Sequence, residues 1–246
     1  VQTAKKFWEF KALADNEGEL YIYGEIANSN TDWLSDGTEI TPKGFQEELA
    51  ALGDISTLNV YINSPGGDVF AGNAIYAMLK RHKAQVNVFI DGLAASIASV
   101  VAMAGDVVTM PKNSLLMIHN AWSIAMGNAT DFRKMADDLD KIGLTLQEAY
   151  LSKATDMKQE DLVALLDAET WLTAQECFDL GFCDVLGEEK AIAASVQDIE
   201  FVARYKNAPK FIKVEAKEEP KPEPEPEPGP GPDILTKQKI ELELQL

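Results

Sequence analysis

Cysteine, histidine and positive charge are all scarce in this sequence. Cys177 and Cys183 are its only two cysteines, too few for a disulfide framework, and no histidine stands at zinc-ligand spacing from them. Lys and Arg number 22 against 40 Asp and Glu, a formal net charge of −18. Nucleic-acid binding is disfavoured, because holding phosphates takes clustered cations that displace counterions; the acidity reads first as solubility. Long apolar runs are missing too. The longest, Leu93 to Gly105, is broken by serines and falls short of the roughly 20 residues of a membrane span. No basic stretch followed by an apolar one opens the chain as a secretion signal would. No GxxxxGK motif followed by Ser or Thr marks a nucleotide site. The expectation is a protein of a reducing cytoplasm, without metal, cofactor, nucleic acid or membrane as partners.

What is present is ample for a core: 246 residues, 46% of them hydrophobic and 25% charged, fit one sizeable globular domain or two modest ones. The stretch EEPKPEPEPEPGPGP, residues 218–232, cannot join that core. Proline removes donors and fixes φ while the glutamates repel one another, so an extended, solvated linker is expected there. Beyond it, residues 233–246 form a short tail whose ending IELELQL alternates like a strand. The expected organisation is an N-terminal segment 1–17, a folded domain 18–186, a bridge 187–217, the linker 218–232 and the tail.

Within the domain, β-branched and aromatic runs alternate with helically spaced ones. Glu19–Ile26, Thr57–Asn63, Val86–Ile90, Val107–Met110 and Ser114–His119 read as strands bounded by Gly, Asn or Pro. Gly44–Leu52, Ala71–His82, Ser96–Ala104 and Asp131–Ala154 read as helices. Such alternation predicts an α/β layered domain with a largely parallel sheet, whose strand-end loops carry the chemistry.

Three such loops hold suggestive residues. NSPGGD, Asn63 to Asp68, has adjacent glycines that admit unusual φ and let a substrate carbonyl approach a peptide N–H, although a tight turn before a helix explains them as well. DGLAAS, Asp91 to Ser96, would set a serine hydroxyl at a helix N-terminus, where free N–H groups favour an oxyanion; an N-cap would use the same position. LLMIHN carries His119 at a strand end. A structural histidine is the plainer reading, but the only other histidine, His82, sits in the basic stretch LKRHK, so any serine–histidine mechanism falls to His119. Serine needs such a base, and the base an anion to orient it.

INSPGG (Ile62–Gly67), GLAAS (Gly92–Ser96), MIH (Met117–His119) and GNATD (Gly127–Asp131) stand in the same order and near the same spacing as in the ClpP family of serine peptidases, and WLTAQECFDLGFCDVL (Trp171–Leu186) resembles that family's closing helix and strand. The resemblance covers residues 18–186. It implies the ClpP/crotonase-like α/β fold with a protruding handle helix, Ser96 as nucleophile, His119 as general base, and the backbone N–H groups of Gly67 and Ile97 as oxyanion donors. The acid falls on Glu169, where the family usually has Asp, with Asp167 as fallback. Phe132, Met135, Leu139, Ile142, Leu146 and Ala149, spaced 3, 4, 3, 4, 3, form a seam that covering the domain's own core explains as well; in the resembling proteins the matching helix is the handle through which two seven-membered rings interlock around a chamber. The resemblance thus implies a homo-oligomer, a tetradecamer of stacked heptameric rings, acting on polypeptide.

The N-terminal stretch and residues 187–246 depart from the housekeeping enzyme. They look more like the ClpP-related peptidases of phages and prophages that serve head maturation, which points to capsid or scaffold precursors as substrates and capsid or portal proteins as partners, in the cytoplasm of a bacterial host. A housekeeping-like peptidase fed by a host Clp ATPase, a serine–lysine mechanism using Lys112, and a non-catalytic assembly scaffold are the alternatives.

Overall fold

The structure is a computed structural model, and the described residues are 6–28, 41–188 and 205–209. The chain divides into two compact units, residues 1–213 and 214–246. Every described residue belongs to the first; the linker 218–232, the tail 233–246 and most of the bridge 187–217 lie outside the described residues.

Eight described strands make one sheet: β1 (Trp8–Ala12), β2 (Glu17–Tyr23), β3 (Thr57–Ser64), β4 (Gln85–Ala95), β5 (Val107–Pro111), β6 (Leu115–Ile118), β7 (Thr170–Thr173) and β8 (Val185–Gly187). The spatial order is β1-β2-β3-β4-β5-β8, with β6 paired to both β4 and β7. All neighbours run parallel except β1 against β2 and β6 against β7. The largely parallel sheet expected from the alternating pattern is therefore present. Residues 8–12, for which the sequence predicted no element, form β1, and its Trp8 and the preceding Phe7 are buried in the core.

The period-two pattern decides which face is inside. Leu58, Val60 and Ile62 of β3 and Val86, Val88 and Ile90 of β4 are buried, in one core with residues of α2 (Val69–Lys80) and α3 (Ile97–Ala102). On the opposite face Tyr21, Tyr61 and Phe89 lie in register across three strands, their rings stacked at 4.9 and 5.2 Å. The remaining helices are α1 (Pro42–Ala51), α4 (Ala129–Lys153), α5 (Gln159–Asp167) and α6 (Ala174–Asp179). α5 had no counterpart among the helices read from the sequence.

One irregularity matters for the site. β3 and β4 pair evenly up to Ile62 and Ile90, then jump so that Ser64 faces Ala94. At that jump β4 exchanges neighbours: Asn87–Phe89 pair with β5, and Leu93–Ala95 pair with β6. The sequence reading ended this strand at Ile90; it runs on through DGLAA to Ala95, because the two extra residues let its last turn of ladder find a new partner.

α4 is the protruding helix. Its N-terminus is closed by a capping box, with Asn128 accepting from Thr130 and Asp131 amides and Asp131 accepting from the Asn128 amide. Twenty-five residues give a rod of about 37 Å, yet its buried residues are only Leu146, Gln147, Ala149 and Tyr150. The apolar seam is thus covered at Leu146 and Ala149 and open at Phe132, which is 51% exposed.

Candidate active site

Adjacent parallel strands deliver the two central residues. Ala95 of β4 is level with Met117 of β6, and the Ser96 amide donates to the Met117 carbonyl at 2.9 Å. Ser96 and His119 therefore leave the same edge of the sheet side by side, with Ser96 Oγ 2.7 Å from His119 Nε2. Ser96 occupies the N-cap position of α3 but makes no side-chain cap hydrogen bond. The N-cap alternative is excluded: the hydroxyl is turned to the imidazole instead.

The backbone at Ser96 has φ 55° and ψ −130°, a conformation an L-residue holds only at a cost of about 1–3 kcal/mol. The turn is over-determined from two sides, and the second glycine beside it is fixed in turn. Ser99, fully buried, donates from Oγ to the Ser96 carbonyl at 2.5 Å and is met by the Tyr150 hydroxyl of α4 at 2.7 Å. Gly66 (φ 98°) packs so closely that a Cβ there would stand 2.6 Å from Ser96 Cβ and 2.7 Å from the Ala95 carbonyl oxygen. Gly67 (φ 144°) is pressed against Ile26, whose carbonyl oxygen would lie 2.1 Å from an added Cβ. Both glycines of NSPGGD are thus required by positive φ and by close approach.

That loop is fastened by its own side chains. Ser64 Oγ donates to the Gly24 carbonyl and accepts from the Gly66 amide, and Asp68 caps α2 by accepting from the Ala71 amide at 2.7 Å. Ile26 donates to the Gly66 carbonyl while its own carbonyl accepts from Asp68. Among the described residues neither the Gly67 nor the Ile97 amide has an acceptor. Amides left unpaired beside a serine hydroxyl can hold a negatively charged oxygen.

β7 runs antiparallel to β6 with Thr170 opposite Ile118. Continued one step, that register sets Glu169 opposite His119. Glu169 itself has φ 49° and follows the end of α5. Its negative charge pulls the His119 pKa upward, but the larger influence is burial, and the net effect is an imidazole below its ordinary 6.5. Among the described residues no hydrogen bond joins Glu169 to His119; Glu169 Oε1 accepts instead from the Asn207 amide at 2.6 Å. Asp167 is engaged elsewhere, accepting from Asn120 Nδ2 at 2.6 Å. Lys112 is exposed in the turn between β5 and β6, and the partner of Ser96 Oγ is His119, so the serine–lysine alternative has no support in the geometry.

Two residues at the site were not singled out from the sequence. Tyr205, buried, sets its ring edge-on to His119 at 5.3 Å and donates its hydroxyl to the Pro65 carbonyl at 2.6 Å. Asn207 supplies the amide to Glu169, and its side chain donates to the Ala168 carbonyl at 2.7 Å. A tyrosine and an asparagine far down the chain carry no motif that would have marked them. Among the described residues no cluster of His, Cys, Asp and Glu is arranged to hold a metal, and no helix is long and apolar enough to cross a membrane.

Fold and site together define an α/β protein with a serine–histidine pair on adjoining strand ends beside a double-glycine loop. The Clp protease family model matches residues 43–190, more than half of the chain, and the chain belongs to that family. It is 36% identical over 130 residues to the ATP-dependent Clp protease proteolytic subunit of Deinococcus radiodurans, a match covering 52% of this chain and 63% of that relative. The chain thus spans a little under two thirds of the length of that relative.

Proposed function

We propose that the chain is a serine-type endopeptidase with Ser96 as nucleophile, His119 as general base and Glu169 as the acid that orients it. The observation that carries this reading is the 2.7 Å approach of Ser96 Oγ to His119 Nε2 on a strained strand-to-helix turn. In the reaction His119 Nε2 takes the hydroxyl proton as Oγ attacks the scissile carbonyl. The Gly67 and Ile97 amides receive the oxyanion, a stabilisation worth about 10²–10³ in rate per donor. Collapse of the tetrahedral species breaks the C–N bond, with His119 returning the proton to the leaving amine. Water, deprotonated by the same imidazole, then releases the acyl group.

The test is labelling with a fluorophosphonate probe and mapping of the adduct. Ser96 is labelled in the parent chain and the signal is lost in Ser96→Ala and His119→Ala. Labelling that survives His119→Ala would remove the histidine from the mechanism, and an unlabelled, assembled protein would favour the scaffold reading.

The same reading includes self-assembly into stacked rings in a bacterial cytoplasm, heptameric by resemblance. Trp122, Ile124 and Met126, 59%, 84% and 96% exposed on the segment after His119, continue into Phe132 of α4. An apolar surface of this kind is one that a further copy would cover. As the setting we propose phage or prophage head maturation, with capsid or scaffold precursors as substrates, on the strength of the Pro/Glu-rich stretch and the departing N-terminus. The relative from Deinococcus radiodurans favours a second reading, a housekeeping subunit fed by a Clp ATPase. Pull-down with a host Clp ATPase separates them: stable capture supports the second setting, and cleavage of capsid precursors without it supports the first.

A further inference from the structure

The segment 205–209 departs from the behaviour of an ordinary C-terminal extension. Tyr205 and Ala208 are buried, at 9% and 5% exposure, and three hydrogen bonds tie the segment to the loops around Ser96 and His119. The Tyr205 ring stands edge-on to His119 at 5.3 Å and to Trp171 at 6.0 Å. Its hydroxyl donates at 2.6 Å to the carbonyl of Pro65, one residue before Gly66 and two before Gly67. One side chain thus touches both the base and the loop bearing a proposed oxyanion donor. Asn207 deals with the remaining member. Its amide donates to Glu169 Oε1 and its side chain to the Ala168 carbonyl just before it.

We infer that Tyr205 and Asn207 are positioning residues of this site, Tyr205 fixing the imidazole against the Pro65–Gly67 loop and Asn207 fixing the Glu169 carboxylate. The inference rests on the triad reading above. Its physical basis is the longer acid. Glutamate has one more rotatable bond than aspartate, so its carboxylate needs an added anchor to be held ready for the imidazole; a backbone amide on one oxygen supplies it and leaves the second oxygen for His119. Aromatic cover over His119 does the corresponding task for the base, restricting the ring and keeping water from it.

Among the described residues, the groups around the imidazole that titrate or carry charge are Glu169 from the α5–β7 turn and the Tyr205 phenol. The turn from β4 into α3 contributes the Ser96 hydroxyl, and Asp167 is bonded to Asn120 next in sequence to His119. Removing the tyrosine ring therefore relieves burial without adding a charge. The imidazole pKa should rise, and the acid limb of the rate profile should move to higher pH, since the base must be neutral to act.

The experiment measures the rate of fluorophosphonate labelling at Ser96 against pH, in full-length parent chain and variants. Tyr205→Ala labels about ten- to a hundredfold more slowly, the penalty expected for misplaced catalytic groups, with its acid limb displaced upward. Tyr205→Phe keeps the ring and the parental limb but labels more slowly, because the Pro65 carbonyl loses its donor; it also guards against a mere folding defect. Asn207→Pro, which deletes the amide hydrogen, labels more slowly than Asn207→Ala, which retains it. Parental rates and limb in Tyr205→Ala would overturn the inference, and so would faster labelling, which would make the segment an occluding strap. A parent chain unlabelled at Ser96 would instead be a failure of the triad reading itself.

Discussion

At the residue scale, the site is a set of groups whose neighbours decide their chemistry. Burial lowers the His119 pKa and Glu169 partly offsets it, so the acid limb of the labelling profile should fall below the ordinary imidazole value of 6.5. Glu169→Gln removes the opposing charge. Its limb should shift to still lower pH while the plateau rate drops by about 10²-fold or more; a limb that stays in place would show that Glu169 does not reach His119. Gly66 carries a different kind of requirement. Gly66→Ala puts a methyl group 2.6 Å from Ser96 Cβ at φ 98°, and should lose about 1–3 kcal/mol of stability by denaturant titration along with labelling. Ser96, His119 and the paired glycines were legible as candidates because INSPGG, GLAAS and MIH resemble the motifs of the ClpP family; by residue type alone an N-cap, a structural histidine and a tight turn explain them as well. The direction of the Ser96 hydroxyl was not, since an N-cap and a nucleophile occupy the same position in a sequence.

At the element scale, strands and helices follow from patterning, but their ends do not. Alternating apolar residues made β3 and β4 readable, and the wide spacing of Phe132 through Ala149 made α4 readable. The continuation of β4 through Asp91–Ala95 was hidden, because Gly92 and the alanines have little intrinsic strand preference and are held extended only by pairing with β6. α4 shows the same division. Its period gives a seam, whereas which half of the seam is covered depends on the neighbouring elements: Leu146, Ala149 and Tyr150 are buried and Phe132 is open. Under the assembly reading, Met126→Asp and Phe132→Asp place charge where another copy's apolar surface would sit, and desolvating it is costly. Sedimentation should show a smaller species for both variants with unchanged secondary structure; parental assemblies in both would remove this surface from the interface.

At the scale of the whole molecule, the assembly reading predicts that the proposed peptidase owes its selectivity to enclosure more than to a shaped pocket. A chamber built from copies of this chain would admit extended polypeptide and exclude folded domains. The expected outcome is cleavage of an unfolded protein and of short peptides, with a disulfide-locked folded substrate left intact when digests are compared by mass spectrometry. Equal cleavage of the folded substrate would mean open active sites.

By itself the sequence determined the α/β alternation, because that depends on residue type and local period, and it offered Ser96, His119 and the double glycine as candidates through their resemblance to the motifs of the ClpP family. Tertiary structure alone decided that β4 changes partners to bring Ser96 level with His119, that β7 returns antiparallel to set Glu169 opposite the imidazole, and that Tyr205 and Asn207 close over both. Those relations join residues 23 to 140 positions apart, and no local preference encodes a contact whose stability comes only from packing the whole sheet.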